Sequence, residues 1–185
     1  MKLNLKPAKI LDFDTENRPL SYIGHDFTTS DLTAIACSWG PRHMSCWLLG
    51  RDDQETMLRH FVRFWDEADI VTGHYIRGHD LPIINGALSE YGLPALSPKL
   101  TIDTHGDLKS MKGISKSQES LAGMLAIDEP KIGMSQTAWR AANRLKRIDL
   151  TAQRVIADVR QHQALRLKLT ELGWLNPPKM WRGGE

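Results

Sequence analysis

The chain reads three times with the period of a strand before it reads once with the period of a helix. "KILDFD" (9–14), "TAIACSWG" (33–40) and "HMSCWLLG" (43–50) are apolar or alternating runs, the last two parted by a Gly-Pro-Arg turn, and they predict a strand followed by a hairpin. The period changes in "DDQETMLRHFVRFWDEAD" (52–69), where Met57, Phe61, Phe64 and Trp65 fall on one helix face and Asp52 with Glu55 has the Asp-x-x-Glu spacing of an N-terminal cap. "DIVTGH" (69–74) predicts a short buried strand, and "DLPIINGALSEYG" (80–92) a helix closed by Gly92. "KLTIDT" (99–104) predicts a further strand. "SQESLAGMLAI" (117–127), "SQTAWRAANRL" (135–145) and "DLTAQRVIADVRQHQALRLKLTELG" (149–173) all have helical spacing. Strands first, then alternation, then helices predicts an α/β fold: a mixed central sheet of about five strands flanked by helices. The expected organisation is a single domain over residues 1–173, with 174–185 ("WLNPPKMWRGGE") as an extended C-terminal tail.

Composition narrows the class. A chain of 185 residues that is 41% hydrophobic can bury one real core. It contains no run of eighteen apolar residues and no apolar leader, so the expectation is a soluble, cytoplasmic protein with no membrane partner. Cys37 and Cys46 lie in neighbouring predicted strands without ligand spacing and read as reduced core thiols. Charge is uneven: residues 138–185 hold ten Lys/Arg against four acids, +6, which leaves −4 for the first 137. An acidic front and basic rear suit a protein that holds cations beside a polyanion, although a solvated helix face has the same signature.

The acids are where chemistry enters. In a strand, Asp12, Asp14 and Glu16 share a face, and the last two fall at the strand end, where open α/β sheets place their sites. Two carboxylates about 4 Å apart repel by about 4 kcal/mol at an effective dielectric near 20, so one protonates unless a cation intervenes. A divalent ion is one remedy and a solvated strand end is the other. Asp80 follows a strand at the head of a helix, a position that also suits capping. Asp158 lies within the long helix, where Arg154 and His162, one turn to either side, are possible partners.

Taken in order, "DFDTE", "GHYIRGHDLPIIN" and "IADVRQHQALRLKL" resemble the motifs of the DEDD 3′–5′ exonucleases, the DnaQ-like proofreading group of the ribonuclease H-like fold. The resemblance covers most of the chain, including "LTIDT" and "SLAGMLAI". It implies that Asp14, Glu16, Asp80 and Asp158 bind two divalent ions, Mg2+ or Mn2+, and hydrolyse phosphodiesters of single-stranded or frayed DNA from the 3′ end, releasing nucleoside monophosphates. Asp12 becomes a polar support. An RNA exonuclease, an endonuclease of the wider group and a catalytically silent nucleic-acid-binding module are the alternatives. With no polymerase domain in the chain, a replication or repair protein would be served in trans.

The pattern departs from the family in two places. Gln153 and Arg154 stand where the third motif carries a His or Tyr, and arginine cannot act as a general base. His162, one turn past Asp158, is the candidate replacement beside the water. In the second motif Tyr75 replaces an Asn and His79 an apolar residue. His74, Tyr75, His79 and Arg154 are therefore the candidate substrate-binding residues, with His74 and His79 as alternative proton acceptors.

Overall fold

The computed structural model describes residues 6–19, 30–135 and 147–183, together with residues 137, 138, 141, 142 and 145. The helix expected over 135–145 falls largely outside the described residues. Strands β1 (Ile10–Pro19), β2 (Ser30–Ser38) and β3 (Met44–Leu48) form the antiparallel half of the sheet. Strands β4 (Ile70–Gly73) and β5 (Lys99–Asp103) add to β1 in parallel. A sixth strand, β6 (Lys179–Trp181), closes the edge antiparallel to β5, giving the order β3-β2-β1-β4-β5-β6. This is a mixed α/β sheet of the ribonuclease H-like kind, one strand wider than expected. The extra strand comes from the C-terminal segment: Trp181 is buried and meets Trp65 edge-to-face at 5.5 Å.

Helices α1 (Gln54–Glu67) and α2 (Asp80–Glu90) cover one face of the sheet. Leu11 and Phe13 of β1 and Ile35 and Cys37 of β2 point there, against Met57, Phe61, Trp65, Leu81 and Ile84. The cap of α1 is one residue later than expected: Asp53 Oδ1 accepts from Thr56 N at 2.8 Å, while Asp52 accepts from Leu48 N. The stop of α2 is as expected, with Gly92 at φ +62° and Leu93 N donating to the Leu88 carbonyl. Short helices α3 (Thr104–Asp107) and α4 (Gln118–Met124) lead toward the other face, which is spanned by α5 (Ile148–Glu171).

The two faces of the central strands differ in size of side chain. On β2 the residues toward α5 are Ala34 and Ala36, which pack with Val155 and Val159. Those alanines are the register partners of Glu16 and Asp14, so small side chains let the helix settle close beside the strand acids. Cys37 and Cys46 are free thiols, and burial pushes Cys46 up to about 11. Among the described residues no helix is long and apolar enough to cross a membrane.

Candidate metal and nucleic-acid site

Four helix residues span one turn, about 6 Å, and two strand residues span about 6.6 Å. Helix α5 therefore meets β1 in step, every fourth residue against every second. Arg154 Nε donates to Glu16 Oε1 at 2.5 Å. One turn on, Asp158 lies beside Asp14 and Glu16. His162 Nε2 follows at 3.4 Å from Asp12 Oδ1, and Arg166 donates to both Asp12 oxygens at 2.7 and 2.8 Å. At the turns of Arg154, His162 and Arg166 the helix offers the strand a basic side chain. At Asp158 it offers a third acid.

Asp14, Glu16 and Asp158 each bring a ligand oxygen within 4.8 Å of the others. Asp158 Oδ2 is 3.3 Å from Lys131 Nζ, whereas its Oδ1 is buried with no hydrogen-bond partner. Asp158 thus takes a lysine from the irregular stretch after α4 as a partner, in addition to the electrostatic pull of Arg154 on its own helix. Burial, with the charges of Asp80, Asp158 and Glu16, holds Asp14 well above the usual carboxylate range. Burial likewise pushes Glu16 up to about 7 against the opposing pull of Arg154, and raises Asp158 against that of Lys131. The group is short of positive charge, its donors are all oxygen and one of them is orphaned. Such a set can hold a divalent ion.

Asp80 lines the same cavity of about 280 Å³, with Asp14, Glu16, Arg154 and Asp158, but lies outside the tight triad. It is the first residue of α2, and His79 occupies the cap position without making a side-chain capping bond. Its Oδ1 accepts from Thr15 N at 3.2 Å and Thr15 Oγ1 at 2.5 Å, and its Oδ2 is 3.6 Å from His79 Nδ1. Hydrogen bonding to Asp80 raises the proton affinity of His79, while burial pushes His74 down to about 3 and keeps it neutral. His74, Tyr75 and His79 all line the cavity.

His162 is placed elsewhere. It is 1% exposed, bonded to Thr72 Oγ1 at 3.1 Å and set against Asp12, and it is absent from the cavity lining. The step that puts it one turn from Asp158 also carries it about 6 Å back along β1, under the sheet. Three residues escaped the sequence reading. Lys131 sits in "DEPKIGM", which has no periodicity to place it. Asp103 ends β5 and accepts from the backbone N–H groups of Tyr75, Arg77, His105 and Gly106. Arg166 gave no sign of Asp12, 154 positions away.

The chain matches no protein-family model and no curated protein significantly. Among solved structures it is similar to the family B DNA polymerase from the hyperthermophilic archaeon Pyrobaculum calidifontis, with a TM-score of 0.71 and 20% identity over 92% of this chain. The match takes in 25% of the polymerase, so this chain spans about a quarter of that protein's length. At that identity the likeness speaks for the fold.

Proposed function

We propose that the protein is a metal-dependent 3′–5′ exonuclease that hydrolyses single-stranded or frayed DNA, releasing nucleoside monophosphates. The observation that carries this reading is the single like-charged turn between α5 and β1: Asp158 set against Asp14 and Glu16, with an orphaned oxygen, where each neighbouring turn is matched acid to base. A divalent cation between these carboxylates would relieve that mismatch. The motif resemblance and the fold shared with part of a DNA polymerase both agree.

In this reading Asp14, Glu16, Asp158 and, at the rim, Asp80 hold two divalent ions, Mg2+ or Mn2+. Such ions supply Lewis-acid chemistry to an in-line displacement, activating the attacking water and stabilising the leaving oxygen. Arg154 brings a permanent positive charge to the cavity wall and orients Glu16. His79 takes the water's proton: it lines the cavity, and its hydrogen bond to Asp80 raises its proton affinity. His74 is held neutral and fixed by Thr104 Oγ1 at 2.9 Å, as a positioning wall.

A second reading has its own observation. Arg154 and Lys131 already pair with two of the three acids, as expected of a silent nucleic-acid-binding module whose site has been internally neutralised. A 5′-labelled single strand incubated with Mn2+ separates the two. The exonuclease shortens it one nucleotide at a time, stops at a blocked 3′ end and loses activity in Asp158→Asn. A module that binds the strand and leaves it intact defeats the proposal, and matched DNA and RNA strands assign the polymer.

A further inference from the structure

A second cavity lies at the opposite end of the sheet from the acids. It has a volume of about 550 Å³ and is walled by Val62 and Trp65 of α1, Leu88 in the last turn of α2, and Leu93, Pro94 and Leu96 of the loop that leads to β5. Trp65 and Ser97 come before β4 and β5, whereas His74, which lines the acidic cavity, comes directly after β4; the two cavities therefore open at opposite ends of these parallel strands. The loop is pinned on both sides. Leu93 N donates to the Leu88 carbonyl at 2.9 Å, Leu96 N to Asn85 Oδ1 at 3.0 Å, and Trp65 Nε1 to the Ser97 carbonyl at 3.1 Å. Pro94 stiffens the span between them. The cavity is thus shaped by the fold itself, with the buried Trp65, Leu88 and Leu96 at its base.

Small-ligand sites have volumes of about 300–1,000 Å³, apolar walls and a few placed polar groups, and this cavity has that make-up. Charge at the rim decides the class of ligand. Arg59, Arg63 and Asp66 stand there, all exposed. Glu55 Oε1 holds Arg59, at 2.9 Å from Nε and 2.6 Å from Nη2, and Asp66 Oδ1 lies 3.5 Å from Ser97 Oγ. Among the described residues Arg63 makes no hydrogen bond or ion pair, which leaves its guanidinium fork to a carboxylate from outside the chain. We propose that this cavity is a second ligand site, taking a small amphipathic anion whose apolar body lies between α1 and the 93–97 loop and whose carboxylate meets Arg63. The site is independent of the acidic cavity and of the chemistry proposed there.

The test uses 8-anilinonaphthalene-1-sulfonate, an apolar ring system with one anionic group, titrated into the full-length protein in EDTA and followed by its fluorescence. Saturable binding of one probe per chain is expected, with octanoate displacing it about fivefold better than 1-octanol, as one partly exposed ion pair warrants. Arg63→Glu, at an exposed position, should weaken octanoate by more than about tenfold, since it replaces attraction with repulsion. Arg160→Glu makes the same change of net charge at an exposed position on α5, across the sheet, and should leave octanoate binding as in wild type. The absence of saturable binding overturns the proposal. So does displacement by 1-octanol equal to that by octanoate, or an equal effect of the two arginine variants.

Discussion

Arg166 lies two turns beyond Asp158 on the same helix and secures that helix to β1, so its removal should be costly in a calculable way. Asp12 is 1% exposed and takes both of its strong bonds, at 2.7 and 2.8 Å, from the Arg166 guanidinium. Arg166→Met leaves a buried carboxylate with the Gln163 amide at 2.9 Å and the His162 ring at 3.4 Å. Breaking a buried pair from one side costs about 3–5 kcal/mol, and because two partners remain we expect about 3 kcal/mol. That is a large share of the roughly 5–15 kcal/mol that holds a typical domain together. The double variant Asp12→Val/Arg166→Met removes the stranded charge as well and should return to within about 1 kcal/mol of wild type, since apolar replacement of a whole buried pair is often neutral. Urea unfolding followed by tryptophan fluorescence, with m-values unchanged, measures both. The reasoning fails if the single variant loses less than about 1 kcal/mol, or if the double loses as much as the single.

Three further outcomes follow from the triad. Glu16 titrates near 7 in the fold against an ordinary 4.5, so its contribution to stability is complete below about 4.5 and is lost as pH rises through about 7. In EDTA, Glu16→Gln should therefore gain on wild type by about 2–3 kcal/mol between pH 5 and pH 8, and a difference independent of pH contradicts this. Lys131→Met removes a cation 3.3 Å from Asp158, which should tighten Mn2+ binding about fivefold, the equivalent of about 1 kcal/mol for a partly exposed pair; calorimetry that shows weaker binding refutes it. His79→Gln should slow strand shortening by about a hundredfold, whereas a general base elsewhere would leave the rate intact.

What the sequence disclosed and what it hid have physical causes. Periodicity placed β1 to β5 and α1, α2, α4 and α5, because each buries a face long enough to show its period. It missed β6, a three-residue edge strand after Pro177 and Pro178 that is held by the single buried Trp181. The acids of the candidate site were legible because carboxylates on alternate strand positions and inside a helix are anomalous, although β1 runs on to Pro19 and so places Asp14 and Glu16 within the strand and not at its end as expected. Their partners were not, since Arg166 and Lys131 reach them across the fold. His162 was misplaced for a geometric reason: spacing along a helix gives the direction of a side chain around the axis, but the strand beneath decides which acid it meets. Asp12, read as a polar support, is the residue that it meets.

Asp14, Glu16 and Asp158 must together form a cation site if the protein is a metal-dependent nuclease. Titration of Mn2+ into the metal-free protein, followed by loss of the free-ion electron paramagnetic resonance signal, tests this without reference to any substrate. Uptake by the wild type and its loss in a folded Asp158→Asn variant is the predicted result; superimposable titrations of the two proteins would contradict it.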